Sequence, residues 1–270
     1  MKKIEINLIS SLSDINPSVW DQCACPEVNN GSRPIDPFTT YRFLFALEES
    51  RSVGQGTGWT PNYLIAQHSD IVVGVMPFYL KGHSQGEYIF DHNWAQAFSQ
   101  AGGRYYPKFQ IAVPFTPVSG RRILVKSGYE ESAANALLNA AKKIAKSNQV
   151  SSIHLTFCSD QEVEQSKKWN LLSRKNLQYH WVNNDYRHFD EFLAALSSRK
   201  RKALKRERRV ALEFGGKISQ LTGADITPDL WDSFWEFYQD TGARKWGFPY
   251  LTRSFFDIIH EKMRDDILLV

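Results

Sequence analysis

The chain has 270 residues, of which 42% are hydrophobic and 23% are charged, proportions typical of a folded protein and not of a disordered one. Its 33 basic residues nearly balance 29 acidic ones, giving a formal net charge of +4 at pH 7, which does not indicate a general nucleic-acid-binding protein. Three cysteines are too few for a disulfide framework, and neither a signal peptide nor a membrane span is evident, so we expect a cytoplasmic protein.

The N-terminal stretch predicts a strand followed by two helices. "KIEINLIS" alternates polar and apolar residues as a half-buried strand does. Asn16 and Asp36 each precede a proline, an arrangement typical of a helix start. The glycines of "GQGTGW" would end the second helix. We therefore interpret the spacing of Arg51, Gly54 and Gly56 as a helix stop and not as a phosphate-binding loop.

The middle of the chain predicts several strands and two helices. "NYLIAQH" and "IVVGVMPFYLKG" are typical of a hairpin that turns at Ser69 and Asp70. Further strands are predicted at "GEYIFD", "KFQIAVPF", "RRILVK" and "SSIHLTF". Helices are predicted at "HNWAQAFSQ" and at "EESAANALLNAAKKIAKSN", which carries apolar residues at helical spacing.

A similar order of elements then begins again without repeating the sequence. We predict strands at "LQYHWVN", "KISQLT" and "DILLV", a basic helix at about 197–214, and helices at "TPDLWDSFWEFYQDTG" and "TRSFFDIIHEKM". The order predicts a first domain at residues 1–177 and a partial second domain at 178–270. Because the chain ends in an apolar strand, we expect either a continuation beyond residue 270 or completion of the sheet by another chain, such as a second copy.

Five stretches carry a family resemblance: "ALEESRSVGQGTGW", "MPFYLKGHSQGEYIFDHNWAQAF", "AGGRYYPKFQIAVPFTPVSGRR", "SSRKRKALKRERR" and "DTGARKWGFPYLTRSFF". They resemble the FemAB-like branch of the GNAT acyltransferase superfamily, which is related to the FemABX enzymes and associated with peptidoglycan biosynthesis or recognition. The resemblance implies an α/β (α+β) fold of tandem GNAT-like mixed-sheet units, the second incomplete here. It also implies transfer of an acyl or aminoacyl group to an amine of an anionic, cell-wall-related acceptor.

The donor implied by this resemblance is acyl-CoA or an aminoacyl-tRNA, and we expect no cofactor resident in this chain. CoA-dependent GNAT proteins bind the pyrophosphate at a glycine-rich helix N-terminus after the fourth strand. "HNWAQAF" follows "GEYIFD" at that place and has no glycine to allow close approach of a phosphate. A second hypothesis therefore stays open, namely a non-catalytic module that binds a peptidoglycan precursor or another anionic ligand.

Hydrogen-bonding and ionisable side chains are concentrated in "KGHSQGEYIFDHNW", which favours a functional loop over a plain connection. The candidate general bases are Glu87 and His83. The candidate substrate contacts in this stretch are Lys81, Asp91, His92 and Trp94. An ordinary polar turn is the alternative interpretation. The histidines and Asp91 lack a recognised ligand spacing, so we predict no metal site.

Two further loops combine cationic with aromatic side chains, which suit a phosphate or a sugar. The first supplies the candidate contacts Arg104, Tyr105, Tyr106 and Lys108. The second supplies Arg244, Lys245 and Trp246 and resembles the acceptor-side loop of the family. The alternative for the second loop is a helix C-terminus whose basic residues complement the helix dipole.

The basic helix carries the densest charge in the chain, with eight Lys or Arg residues among the eleven at 199–209. Like charges four residues apart repel by a few tenths of a kcal/mol each, and a bound polyanion would offset that repulsion. We predict that Arg201, Lys205 and Arg208 contact an anionic ligand. Acceptor phosphates, a tRNA acceptor arm and a merely solvated helix remain the three interpretations, whereas DNA is not expected because no DNA-reading motif is present.

Overall fold

The computed structural model describes residues 3–25, 36–245 and 247–270. The strands in these ranges are β1 (Glu5–Ile9), β2 (Trp59–His68), β3 (Ile71–Lys81), β4 (Lys108–Ile111), β5 (Leu124–Val125) and β6 (Ile153–Leu155). The helices are α1 (Pro17–Ala24), α2 (Tyr41–Glu49), α3 (His92–Gln100), α4 (Glu130–Ser147), α5 (Asp160–Gln165), α6 (Phe189–Ala194), α7 (Ser198–Leu212), α8 (Pro228–Arg244) and α9 (Arg253–Met263). The predicted α/β character is confirmed.

The strands form one mixed sheet in the order β1-β2-β3-β4-β6, and β5 pairs with β3 beside this path. Neighbours are antiparallel except β4 and β6, which run parallel with Phe109 opposite Ile153 and Ile111 opposite Leu155. The predicted hairpin is confirmed as β2 and β3, the longest ladder of the sheet. The β2–β3 hairpin pairs with β4 through β3, and the candidate site lies where β3 ends and β4 begins.

One face of the sheet packs against α4. Leu64 of β2, Phe78 of β3 and Phe109 of β4 contact the buried face of α4, which includes Leu137 and Ala141. The Phe78 and Phe109 rings stack with centroids 4.1 Å apart. Burying a side chain of this size contributes about 1.5–3 kcal/mol, so this layer supplies much of the stability of the sheet.

The opposite face of the sheet carries a layer of aromatic rings. Tyr63 and Tyr79 lie with centroids 6.0 Å apart, and Trp59 contacts Tyr79 at 5.5 Å. Trp20 of α1 packs edge-on against Tyr63 and donates its indole N–H to the Thr39 carbonyl at 3.0 Å. The polar atoms of this face therefore lie among large rings and away from solvent.

The predicted helix starts are correct at one place and displaced at another. Asn16 accepts a hydrogen bond from the Ser18 N–H at 2.9 Å and begins α1 as expected. Asp36 instead begins a short 3-10 turn at Pro37–Thr39, and Thr40 begins α2. The glycines after α2 form a turn closed by a bridge between Gly54 and Trp59, which confirms the interpretation as a helix stop.

Residues 1–173 and 222–267 form one compact unit, and residues 174–221 with 268–270 form another. In the first unit, α9 returns to α2, where the rings of Phe255 and Phe43 lie 5.9 Å apart. In the second unit, α6 and α7 are neighbours and Leu221 pairs with Leu269 in an isolated bridge. The division into two GNAT-like domains at residue 177 stays a prediction.

Several predicted strands are wrong. "GEYIFD" forms no strand because Tyr88 adopts a left-handed backbone with φ of 53°, which a strand excludes, and because Glu87 and Asp91 both point to buried partners. In the described ranges, "LQYHWVN" and "KISQLT" form no strand, and "DILLV" contributes only the Leu269 bridge. An extended segment is classed as a strand only when a neighbour satisfies its backbone groups along its length. "KISQLT" and "DILLV" pair with each other only at Leu221 and Leu269, and "LQYHWVN" pairs with no strand among the described residues.

Candidate functional site

A buried ionic cluster lies at the ends of β3 and β4. The Lys108 Nζ atom donates to Asp91 Oδ2 at 2.6 Å, to Glu87 Oε2 at 2.8 Å and to Ser84 Oγ at 2.9 Å. The side chains of Lys108, Glu87 and Asp91 have no solvent exposure. One ammonium thus lies between two carboxylates in a dry environment, where each charge depends on the others for its stability.

The strand register explains why a second lysine joins the cluster. Lys81, the last residue of β3, is directly opposite Lys108, the first residue of β4. The Lys81 Nζ atom lies 3.6 Å from the ring centroid of Trp59 and 4.0 Å from Glu87 Oε1, and it donates to the Gln85 carbonyl at 3.2 Å. The segment between the two strands therefore brings its carboxylates over two adjacent ammonium groups.

Two tyrosines close the cluster on the side of β4. The Tyr105 hydroxyl donates to Asp91 Oδ2 at 2.7 Å, and the Tyr106 hydroxyl lies 2.7 Å from Ser84 Oγ. The structure thus brings together six of the predicted contacts, which are Lys81, Glu87, Asp91, Tyr105, Tyr106 and Lys108. Ser84 was not among the predicted contacts, although its position between two glycines of a polar stretch was a visible signal.

Burial and neighbouring charges shift the pKa values of the cluster residues in different directions. Burial lowers the pKa of Lys81 to about 7, with Glu87 and Asp91 opposing and Lys108 reinforcing the shift. Burial raises the pKa of Glu87 although Lys108 opposes this. Burial also acts to raise the pKa of Asp91, but hydrogen bonds from Lys108, Ser84 and Tyr105 together lower it to about 2. Asp91 is therefore an anion at neutral pH, whereas Lys81 is only partly protonated there.

His83 lies at the edge of this cluster and is half-buried. Its Nδ1 atom accepts a hydrogen bond from the Gln85 N–H at 3.2 Å. The ring packs on Gly58 so closely that a Cβ atom at position 58 would lie 2.0 Å from His83 Nε2. Burial, followed by the charge of Lys81, lowers the pKa of His83. The imidazole is therefore predominantly in its neutral form at neutral pH.

The remaining predicted contacts lie outside the cluster. His92, Trp94 and Arg104 are exposed. Arg244 forms an ion pair with Asp240 one turn earlier in α8 at 2.9 Å, as expected of a basic residue near a helix C-terminus, and Lys245 follows it as an exposed residue. Trp246 lies outside the described residues.

The basic helix α7 belongs to the second compact unit, and its cations have unequal surroundings. The Arg201 guanidinium donates to the carbonyls of Leu193, Ala194 and Leu196 at 2.9–3.0 Å and so caps the end of α6. Arg208 lies 4.4 Å from the ring centroid of Phe189. Lys205 and Arg208 line a groove between α6 and α7.

Five cations of α7 have no salt bridge, side-chain hydrogen bond or ring contact in the described part of the chain, whereas Arg201 and Arg208 lack only a carboxylate partner. The five are Arg199, Lys200, Lys202, Lys205 and Arg206. Only Arg209 of this helix approaches a carboxylate, at 3.7 Å from Glu213. The helix therefore presents a surface of uncompensated positive charge, which is favourable for an anionic partner.

The parallel strands β4 and β6 separate beyond Ile111, a feature that sequence analysis did not predict. Residues 112–119 leave the ladder, and pairing resumes at a bridge between Gly120 and Cys158. The buried Arg122 guanidinium occupies the gap and donates to the Thr156 carbonyl at 2.9 Å. The N–H groups of Ala112 and Val113 make no hydrogen bond within the described residues. The two prolines of "AVPFTPVSG" were the available signal, because proline interrupts a ladder.

No group of three or more His, Cys, Asp or Glu side chains is arranged for a metal ion in the ranges that the structure describes. Across the same ranges, every helix is too short or too polar to cross a bilayer.

The profile of the FemAB-like family, described as peptidoglycan biosynthesis/recognition, matches residues 11–270. The chain therefore belongs to this family, and the resemblance inferred from the sequence is confirmed. No curated protein matches the chain.

Solved structures with a similar course of the chain are acetyltransferases. A ribosomal-protein-alanine N-acetyltransferase from Brucella melitensis biovar Abortus 2308 is 14% identical, with 67% of this chain and 98% of that chain covered and a TM-score of 0.37. The aminoglycoside N-acetyltransferase AAC(6')-Iy in complex with CoA is 10% identical, with 67% and 95% covered and a TM-score of 0.40. A possible acetyltransferase from Clostridium difficile 630 is 13% identical, with 67% and 99% covered and a TM-score of 0.40.

Proposed function

We propose that this protein is an N-acyltransferase that transfers an acyl or aminoacyl group to an amine of an anionic acceptor related to the cell wall. The observation that carries the proposal is membership of the FemAB-like family over residues 11–270.

The reaction joins the acceptor nitrogen to the donor carbonyl carbon and breaks the C–S bond of a thioester or the C–O bond of an ester. The amine loses a proton, and the leaving thiol or hydroxyl gains one. The oxyanion that forms on the carbonyl requires hydrogen-bond donors fixed in advance. The N–H groups of Ala112 and Val113 are buried backbone donors without an acceptor among the described residues, and we assign this stabilising role to them.

His83 is better suited than Glu87 to accept the proton from the amine. The Glu87 carboxylate is sealed from solvent and bonded to Lys108, so an acceptor amine cannot reach it in this conformation. His83 is half-buried, and burial and Lys81 lower its pKa, which favours the neutral base. In this scheme Glu87, Lys108 and Asp91 fix the segment that presents His83.

In this proposal the cations of α7, in the second unit, form an anion-binding surface. Arg199, Lys202 and Arg206 have no carboxylate partner in the described chain, so a phosphate or carboxylate of the acceptor does not compete with an internal salt bridge. An aminoacyl-tRNA would use the same cations, and its involvement would give binding a steep salt dependence.

The test is a turnover assay with a panel of acyl-CoA donors and aminoacyl-tRNAs and an amine-bearing muropeptide precursor. We expect acceptor-dependent release of CoA or deacylated tRNA and a matching mass increase of the acceptor. His83→Ala should reduce kcat by about a hundredfold or more because a general base is lost. The exposed His180 is a matched control, and His180→Ala should retain the wild-type rate.

The second candidate function is a binding module without chemistry. The burial of Glu87, Asp91 and both cluster lysines favours it, because a structural cluster would be sealed in this way. Acceptor binding without turnover on any donor, together with unchanged binding by His83→Ala, would establish the module and refute the enzyme.

A further inference from the structure

Exposed apolar side chains follow directly on the cations of α7. They lie at the end of the helix and in the turn after it, and their exposed fractions are between 55% and 62%: Val210, Leu212, Phe214 and Ile218. Residues 211–218 are all exposed, and no residue of α7 is buried. Apolar surface gains free energy when it leaves water, so several such side chains within one short segment indicate a contact surface.

The turn after α7 has a defined conformation. Gly215 adopts a left-handed backbone with φ of 77°, which glycine does without strain. The Phe214 ring lies over Gly216, where a Cβ atom would approach the ring to 2.1 Å. These two glycines therefore fix the direction of the Phe214 ring, and a contact group that is already fixed loses little conformational entropy on binding.

The charge of the same segment indicates an anionic partner. Residues 198–218 contain nine basic and two acidic side chains, a net charge of +7, whereas the whole chain has a net charge of +4. Two copies of this segment would repel each other, so a second copy of the chain is a poor partner for the exposed apolar groups. A partner that covers them must present negative charge beside apolar material.

The placement of the cations and the apolar groups favours a lipid surface over a nucleic acid. Arg199, Lys202 and Arg206 lie on one side of α7, because residues three or four apart share a helix face. Val210 continues this row by one further turn. A nucleic acid offers phosphates to the cations and bases to an aromatic ring, but it offers little to an aliphatic group such as Ile218. In a bilayer of anionic lipids the phosphates lie directly above hydrocarbon, which matches a cationic row with an apolar end.

We propose that α7 and the turn after it bind the surface of an anionic lipid bilayer, with the cations on the headgroups and the Phe214 and Ile218 side chains at the boundary of the acyl chains. This inference names the partner of the anion-binding surface that the proposed function assigns to α7. Lys217, between the two apolar residues, extends its ammonium to the headgroups while its aliphatic stem stays in the interface. Several cations and a few inserted apolar groups together give reversible binding without a membrane-spanning helix.

The test is co-sedimentation of the full chain with lipid vesicles, without acyl donor or acceptor. The wild type should bind vesicles of equal parts phosphatidylcholine and phosphatidylglycerol, and salt should release it because salt screens the charges. Phe214→Ser should weaken this binding about tenfold or more, because an apolar ring no longer enters the interface. Phe237→Ser is the matched control, at a ring of α8 that is 69% exposed, and it should bind as the wild type does.

A second ligand separates insertion of apolar groups from attraction between charges. Inorganic polyphosphate carries negative charge but no hydrocarbon, so Phe214→Ser should bind it with the wild-type affinity. Circular dichroism of both variants checks that the fold is intact.

The proposal is overturned if the wild type does not bind the anionic vesicles, if it binds pure phosphatidylcholine vesicles equally well, or if Phe214→Ser binds the anionic vesicles as the wild type does. A dimer that depends on Phe214 in sedimentation velocity, without vesicle binding, would overturn it in favour of a second copy. Because neither donor nor acceptor is present, vesicle binding can succeed when the turnover assay fails, and turnover on a soluble acceptor can succeed when vesicle binding fails.

Discussion

Two lysines on adjacent strands lie next to each other, both buried from solvent. Carboxylates of the segment between the strands offset their positive charge. Lys81 lies opposite Lys108 because the β3–β4 register pairs them. A buried network of this type adds little net stability compared with apolar residues of the same shape, but removal of one member leaves an uncompensated charge. The residues therefore specify one conformation of the 82–107 segment.

Lys81 gives the cluster a measurable pH dependence. Its pKa falls from the reference value of 10.5 to about 7 in the folded protein, so between these values the unfolded chain binds a proton that the folded protein lacks. The free energy of unfolding should therefore rise with pH across this window, by at most about 1.4 kcal/mol per pH unit. Lys81→Met should remove this contribution in urea titrations.

The exposed Lys200→Met serves as the matched control for this measurement and should keep the wild-type dependence. Equal slopes of stability against pH for the wild type and Lys81→Met would show that Lys81 keeps its proton in the folded protein.

Elements with local signals were predictable from the sequence, and elements that require a partner were not. Asn16 with its proline, the polar turn at Ser69 and the apolar spacing of α4 each act within one element, and all three were confirmed. "GEYIFD" alternates like a strand, but the attraction of Glu87 and Asp91 for Lys108 decides its path. Lys81 and Lys108 were predicted as contacts from the composition of their own segments. Their burial was not foreseen, because it depends on the pairing of β3 with β4.

Mutations in α7 can test anion binding and folding stability separately. Arg199→Glu, Lys202→Glu and Arg206→Glu together should weaken binding of inorganic polyphosphate about tenfold or more at low salt, because uncompensated cations are reversed. The Tm should change little, since none of the three side chains bonds to another element among the described residues. Affinity is measured by titration at two salt concentrations.

Arg201→Ala is the contrasting variant within the same helix. It leaves carbonyls at the end of α6 without their donor, at a cost of about 1–3 kcal/mol, and so should lower the Tm of the second unit. Unchanged polyphosphate affinity in the triple variant would exclude α7 as an anion-binding surface.

At the scale of the whole molecule, the first compact unit is discontinuous in sequence. Residues 222–267 complete it through contacts with α2, including Thr252 Oγ1 to the Ser50 carbonyl at 2.9 Å and an ion pair of Arg42 with Asp266 at 2.7 Å. The rings of Phe255 and Phe43 form the apolar part of this contact. The late segment thus belongs to the same cooperative structure as the early helix.

Phe255→Ala tests this dependence. The buried ring is lost, which should cost about 3–5 kcal/mol, and amide hydrogen exchange should accelerate in α2 as well as in α9. Phe237→Ala, at a ring that is 69% exposed, should leave both unchanged. Faster exchange confined to α9 would mean that residues 222–267 open independently of α2.

This discontinuity has a consequence for biosynthesis. As the nascent polypeptide leaves the ribosome, the sheet and α4 can assemble early, but the surface of α2 that receives Phe255 stays bare until the ninth helix has been translated. An intervening stretch that includes the polycationic helix emerges during this interval. Chaperones that recognise exposed apolar surface would therefore bind the nascent chain at α2. A stalled translation product would expose the same helix.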